Sequence, residues 1–256
     1  GYVRTVSFLE RETPVAQLHY YATHPQSYYG DGRVTYDVPG LARERLEGET
    51  GVHQIYFNGC GGDLAMGKYN DGTPETRDEL ASRLFRGMRR SAESTAMKAV
   101  DPISWRTQSI HLKTRCESEF SRKANQDRMA DNDASVTDRI MSAMIVAFEN
   151  RVRDERPFEL SCLSIGSVKL LHLPGEAFVA YQLFAQRTRP DRFVATAAYG
   201  DCAMWYIPTE EAFSQKGGYE TSWAFAAPCE EKLRRAIQEV MKDPSNAECG
   251  MRSAEG

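Results

Sequence analysis

Two stretches near the amino end, Val3 to Leu9 and Val15 to Ala22, have strand patterning and are joined by the turn-like Glu10-Arg11-Glu12-Thr13-Pro14, which predicts a pair. A polar, aromatic loop follows, Ser27-Tyr28-Tyr29-Gly30-Asp31-Gly32-Arg33, and then a short helix from about Pro39 to Glu47. Val52 to Phe57 reads as a buried strand running into the glycine loop Gly59-Cys60-Gly61-Gly62-Asp63. Thr73-Pro74 starts a long helix, Thr73 as N-cap and Pro74 at the first helical position, with an apolar stripe at Leu80, Leu84 and Met88. Residues 117–153 are polar and helix-prone, with an apolar patch at Ile140, Met144, Ile145 and Phe148.

Leu163 to Leu170 reads as a hairpin about a Gly166-Ser167 turn, and its second strand delivers Leu173-Pro174-Gly175-Glu176. A helix from Ala177 to about Arg187, a buried strand from Phe193 to Tyr199 and a last helix from about Glu230 to Lys242 complete the series. That last helix is expected to bury Leu233, Ile237, Val240 and Met241, and residues 245–256 read as a loose tail. No repeat, linker or composition break interrupts the chain. The expected fold class is α/β, a single domain over residues 1–256 with a mixed β-sheet flanked by α-helices.

Composition narrows the function. With 256 residues, 41% apolar and 27% charged, the chain has material for one full core. A net charge of −4 argues against a nucleic-acid platform, and Arg83, Arg86, Arg89 and Arg90 read as the solvated face of a helix that is acidic at its start. No transmembrane segment is expected, since no apolar run approaches the necessary length. Six scattered cysteines without CxxC spacing exclude a zinc ribbon or a compact disulfide scaffold, and Cys60 and Cys202 read as buried free thiols. The chain begins Gly1-Tyr2-Val3-Arg4 and enters a strand almost at once, which reads as a fragment lacking an upstream part. Localisation stays open, with secretion or the periplasm as possibilities, and oligomeric state is not legible.

Chemistry concentrates at four places that follow strand-like runs: Tyr21-Ala22-Thr23-His24-Pro25, the glycine loop, Leu173-Pro174-Gly175-Glu176 and Trp205-Tyr206-Ile207-Pro208-Thr209. Loops at the carboxyl ends of strands carry sites in α/β proteins, so distant segments can converge. Pro25 holds His24 on extended backbone, a firm mount for a metal-ligating imidazole among Ser27, Tyr28, Asp31 and Asp37. Read alone, a structural histidine is the commoner case. Glu176 is expected at a helix start, where it stays ionised, although a plain first-turn acid is common there. Tyr206 follows a buried strand, and Tyr219 sits in Gly217-Gly218-Tyr219-Glu220, where glycines permit close approach of a ligand or of another segment. The loop Gly59–Asp63 matches neither the P-loop nor the dinucleotide fingerprint, so no nucleotide is implied; its backbone N–H groups are candidates for cradling an anion.

In order, these segments resemble the amino-terminal catalytic domain of the neutral/alkaline, non-lysosomal ceramidases. The family's Ala-Thr-His-Pro is matched by Ala22-Thr23-His24-Pro25, and its Pro-Gly-Glu by Pro174-Gly175-Glu176. Its Gly-Asp-Val-Ser-Pro-Asn loop aligns with Gly62-Asp63-Leu64-Ala65-Met66-Gly67, and its late tyrosine motifs with Tyr206 and Tyr219-Glu220. A further family motif is matched only loosely by Tyr36-Asp37-Val38-Pro39-Gly40. The resemblance implies one zinc ion held by His24, Glu176 and Tyr206, a fourth ligand upstream of residue 1, and cleavage of an N-acyl amide. It further implies that Tyr219 contacts substrate. Asp63, Gly61 and Gly62 are expected among the catalytic positions, with N–H groups of the Gly61-Gly62 turn or the Tyr219 phenol stabilising the oxyanion. Asp37 is expected to orient His24 from behind, as ligating imidazoles usually require.

One departure matters most: the family serine is Ala65 here, which has no nucleophile. Serine-dependent acyl transfer at that position is excluded, whereas hydrolysis by metal-activated water is not. The expectation is a zinc-dependent amide hydrolase acting on a small-molecule or lipid-like amide, with no nucleic-acid partner. The alternative is a non-catalytic ligand-binding relative that keeps the fold.

Overall fold

The computed structural model describes residues 2–243 except Tyr29, Asp31 and Lys216. The expected loose tail, Cys249 within it, and the Asp31 placed near His24 therefore lie outside the described residues. The backbone forms two mixed sheets packed face to face with helices on both outer sides, where the sequence pattern had predicted one sheet. In the first sheet β1 (Arg4–Glu10) pairs antiparallel with β2 (Thr13–Tyr21), which pairs parallel with β3 (His53–Asn58). The second has the order β4 (Ile103–Ile110), β5 (Phe158–Ile165), β6 (Val168–His172), β8 (Phe193–Ala197); only the β6–β8 pair is parallel. A two-stranded parallel ribbon joins β7 (Glu176–Ala177) to β9 (Tyr206–Ile207).

Side-chain alternation explains the doubling. Val6, Leu18, Tyr20 and Phe57 on one face of the first sheet meet Leu163, Leu170, Ala195 and Ala197 of the second. The opposite face of the first sheet, with Val3, Tyr21 and Tyr56, packs on α1 (Asp37–Thr50) and α2 (Pro74–Glu93). The opposite face of the second, with Phe158, Leu160, Cys162, Leu171 and Val194, packs on α4 (Val136–Arg153), α5 (Val179–Thr188) and α7 (Glu230–Val240). Each central strand is therefore buried on both sides, with Gln17, His19 and Lys169 among the residues on the helix-facing sides, a pattern that a reading strand by strand assigns equally well to one buried sheet.

Several local expectations can be compared directly. Thr73 caps α2 by accepting from the Thr76 N–H, and Leu84 and Met88 are buried beneath it. Leu233, Ile237, Val240 and Met241 are all buried, and Gly166 takes the positive φ of the hairpin turn. In the 117–153 region α3 (Arg122–Ala130) precedes α4, whose Ile145 and Phe148 are buried; Ile140, grouped with them in the sequence, faces solvent. The edge strand β4 was not foreseen because its polar run Arg-Thr-Gln-Ser gives no apolar signal. Among the described residues no helix is long and apolar enough to cross a membrane. The five described cysteines are unpaired, and Cys60 is buried while Cys202 is half-buried.

Candidate active site

The carboxyl ends of β2, β3, β6 and β8 are laced together by backbone hydrogen bonds. The Gly59 N–H donates to the Tyr21 carbonyl, Ala198 to Asn58 across the two sheets, and Leu173 to Ala197. The loops leaving these strands are fixed to one another in the same way: His24 N–H to Leu64, Glu176 N–H to Trp205, Tyr199 N–H to Gly175. This convergence at strand ends is what brings segments 150 residues apart in sequence into contact.

At its centre His24 Nε2 lies 2.8 Å from Glu176 Oε2, and His24 Nδ1 lies 3.1 Å from the Leu64 carbonyl oxygen. A carbonyl only accepts, so Nδ1 carries a hydrogen and Nε2 is the nitrogen presented to the carboxylate. The hydrogen bond to Glu176 raises the His24 pKa, against an opposing desolvation. Both side chains are shielded but reachable, at 13% and 20% exposure. Tyr206, buried, places its ring 6.4 Å from that of His24 and its hydroxyl 3.4 Å from the hydroxyl of Tyr219. Burial first, then the Tyr219 hydroxyl and the Glu176 charge, drive the Tyr206 phenol pKa upward. Tyr219 stands at the rim, 57% exposed.

Glu176 does not begin a helix. It sits in the β7–β9 ribbon opposite Tyr206, and α5 starts three residues later. The register of that ribbon, not a helix dipole, sets Glu176 beside Tyr206. Trp205 supports it at φ 57°, stacked 4.3 Å from Trp223, with its carbonyl accepting from Glu176 N–H. A bulky residue at positive φ marks backbone held by its surroundings.

The glycine loop serves as close-packed support. The Gly62 N–H donates to the Ala177 carbonyl, so it is not available to hold an oxyanion, contrary to expectation. Gly61 lies against the Thr23 backbone. Asp63, placed among the catalytic positions from the sequence, accepts from Val179 N–H at 2.7 Å and so caps α5 just beyond Glu176. Asp37 is not the partner of His24. Its carboxylate accepts from Ser27 N–H, Ser27 Oγ, Tyr28 N–H and Val38 N–H, fixing the 27–28 turn to the start of α1, and the Leu64 carbonyl supports the imidazole instead. Ala65 pairs with His24 through a parallel β-bridge, and its methyl group is the chemistry at that point.

Tyr199 was missed. It ends the predicted strand that closes in β8, takes φ 64°, and brings its hydroxyl to 3.3 Å from His24 Nε2. Its position at a strand's carboxyl end was the available signal, and the apolar run before it masked the residue as core. Among the described residues no group of three His, Cys, Asp or Glu side chains is placed to share a metal ion; His24 and Glu176 are the imidazole and carboxylate here, and the remaining oxygens are phenols. Of two open grooves of about 430 Å³ each, one is lined by His111, Val152 and Phe158 and the other by Gln108, Lys232 and Arg235, and neither includes any of these groups.

Close packing at Gly62 yields a prediction. A Cβ there would stand 2.3 Å from the Glu176 carbonyl oxygen, which is backbone and cannot swing away. Gly62→Ala is expected to destabilise the fold by about 1–3 kcal/mol and to displace Glu176, whereas Gly61→Ala, with 3.3 Å to its neighbours, has the smaller effect. Thermal unfolding of the two variants side by side checks this; equal melting points would refute it.

No protein-family model matches the chain, and no curated protein matches it in sequence. Solved structures do. A ceramidase complexed with C2 superposes with a TM-score of 0.68 at 13% identity, covering 92% of this chain and 46% of that one. The neutral ceramidase from Pseudomonas aeruginosa gives 0.65 at 14% identity, covering 96% and 49%. The chain thus spans about half the length of the structures it matches. At such identities the likeness speaks for the fold, and over nearly all its residues this chain has the fold of neutral ceramidases.

Proposed function

We propose that the chain is a zinc-dependent hydrolase of N-acyl amides, with His24, Glu176 and Tyr206 as metal donors. The observation that carries the reading is the approach of His24 Nε2 to Glu176 Oε2 at 2.8 Å beside the Tyr206 phenol, on a ceramidase fold. At 2.8 Å the two are hydrogen-bonded, which gathers an imidazole and a carboxylate beside a phenol, and such an oxygen–nitrogen donor set suits zinc. When bound, zinc polarises a carbonyl and lowers the pKa of water. The chain's own groups do the rest. The Leu64 carbonyl fixes the His24 tautomer, and the β7–β9 ribbon with Trp205 fixes Glu176. Asp63 holds α5 in register with Glu176. With Gly62 N–H occupied, the exposed Tyr219 hydroxyl is the donor that meets the amide oxygen as charge develops on it.

Ala65 favours a second reading, ligand binding without turnover, because the serine of the resembling motif is absent beside His24. Zinc content by elemental analysis, paired with amine release from a panel of short- and long-chain N-acyl amides, separates the two. Zinc at one per chain with amine release supports the hydrolase. Zinc without release favours the binding reading, and neither metal nor release sinks the hydrolase and leaves the binding reading in front.

A further inference from the structure

Tyr219 does not owe its place to packing of its own side chain, which is 57% exposed and meets the Tyr206 hydroxyl at 3.4 Å. Its backbone sets it there. Tyr219–Thr221 is a 3₁₀ turn, and the Tyr219 carbonyl accepts from the Ser222 and Trp223 N–H groups. The turn belongs to an excursion that leaves β9 at Ile207 and forms α6 (Glu210–Ser214). It returns beside its own start, where Ala224 bridges Trp205 and the Phe225 N–H donates to the Met204 carbonyl. Excursions whose ends lie this close are frequently functional.

Arg115, which none of the sequence motifs claims, touches both limbs of this excursion. Its neighbour Thr114 bridges Ala226, which brings the guanidinium alongside the returning limb. There Nη1 donates to the Thr221 carbonyl and, at 3.2 Å, to the Ala224 carbonyl. Nε and Nη2 are taken up by Glu117 Oε1. The guanidinium carbon lies 4.0 Å from the centre of the Phe120 ring and 5.5 Å from that of Phe213 on α6, and the side chain is 11% exposed. With its charge matched by Glu117, the fork spends its remaining nitrogen on two backbone oxygens three residues apart, a geometry that a planar guanidinium can hold rigidly. Trp223, inside that span, stacks on Trp205 at 4.3 Å and 6°. We propose that Arg115 is a positioning residue that holds Tyr219 at the His24–Glu176 centre, acting through the Thr221 and Ala224 carbonyls. The proposal rests on the reading of Tyr219 as the donor to the amide oxygen. A displacement of about 1 Å at such a donor costs about 10²-fold in rate.

The test compares Arg115→Met, which keeps an apolar stem and removes the donors, with Arg115→Lys, which restores one charged donor without the fork. Amine release is measured for each, alone and combined with Tyr219→Phe. Arg115→Met is expected to lower kcat about 10–100-fold with KM nearly unchanged, because the lost interaction is made in the transition state. Arg115→Lys should recover part of the loss. In the Tyr219→Phe background Arg115→Met should cost little more, since the group it positions is gone. An unchanged kcat, or equal losses in both backgrounds, overturns the proposal. A second readout needs no turnover. The chain has three tryptophans, so Trp105→Phe leaves the stacked Trp205–Trp223 pair, and Arg115→Met is expected to weaken its circular-dichroism couplet. An undiminished couplet overturns the clamp. No amine release by the unmodified protein removes the hydrolase reading and the task given to Tyr219, and the couplet still decides whether Arg115 holds the turn. Should neither Arg115 variant fold, hydrogen exchange on the unmodified protein decides: protected Ser222 and Trp223 amides support the held turn, and exchange at the rate of free peptide overturns it.

Discussion

Alanine at His24 or at Glu176 is expected to bring bound zinc to background and to lower amide hydrolysis by about 10³-fold or more, while the fold persists. About 4 kcal/mol of barrier corresponds to that factor. The expectation follows from the shape of the centre. His24 and Glu176 are the imidazole and carboxylate that meet there, and each touches the other at 2.8 Å. Losing either leaves phenols and one strong donor, a set that cannot compete with water for the ion. The fold should tolerate the change. Both side chains retain 13–20% exposure, so the survivor can be rehydrated, and the stability loss should stay near about 1–2 kcal/mol. Elemental analysis, amine release and circular dichroism on the purified variants give the three readings. Native-like zinc content in either variant would place the metal elsewhere and sink the assignment.

The sequence made the site legible through strand ends. His24, Glu176, Tyr206 and Tyr219 each follow an apolar run or a glycine turn, and the structure gathers them where β2, β3, β6 and β8 finish. What it could not reveal was which backbone groups were already engaged. Gly62 N–H looks free in a glycine-rich loop, and only the fold shows the Ala177 carbonyl on it. Asp63 and Asp37 look like spare carboxylates, yet both serve N–H groups at helix starts. Tyr199 was concealed for the opposite reason: its run from Phe193 is apolar, and the left-handed turn that aims its phenol is tertiary in origin.

The same limit applied to the layers. Alternation in β2 and β3 marks an apolar face at Leu18, Tyr20, Ile55 and Phe57 but cannot say that it meets a second sheet, since a helix would satisfy it as well. The two-layer arrangement has a functional consequence. Asn58 from the first sheet and Ala198 from the second share a hydrogen bond, so the two halves of the site, His24 on one side and Glu176 with Tyr206 on the other, are joined by backbone as well as by the His24–Glu176 side-chain contact.

Away from the site, Asp243→Asn is expected to cost about 2 kcal/mol, a fall of about 4–8 °C in melting temperature for a chain of this size. Lys169 projects from β6 into the helix-facing side of the second sheet and is fully buried. Its ammonium donates to Ser164 Oγ at 2.9 Å and to Asp243 Oδ1 at 2.7 Å. The other Asp243 oxygen accepts from Arg189 at 2.8 Å and Arg192 at 3.0 Å. Removing the charge leaves a buried ammonium with neutral acceptors only. A fully buried pair broken on one side costs about 3–5 kcal/mol, and the 45% exposure of Asp243 discounts that here. Desolvation works to raise the Asp243 pKa, but Lys169 and Arg189 outweigh it and hold the carboxyl well below the aspartate range. A depressed folded pKa adds stability that is complete above about pH 5, the unfolded carboxyl titrating near about 3.9, and that drains away as pH falls further. Asp243→Asn should therefore flatten the acid side of the stability profile. Lys169→Met, of similar length and without charge, should cost less than Asp243→Asn and should recover part of the loss when the two are combined, because the stranded charge is gone. Chemical denaturation of the four proteins between pH 3 and 7 measures every term. Parallel acid limbs for the native protein and Asp243→Asn would show that Asp243 contributes nothing to the buried lysine.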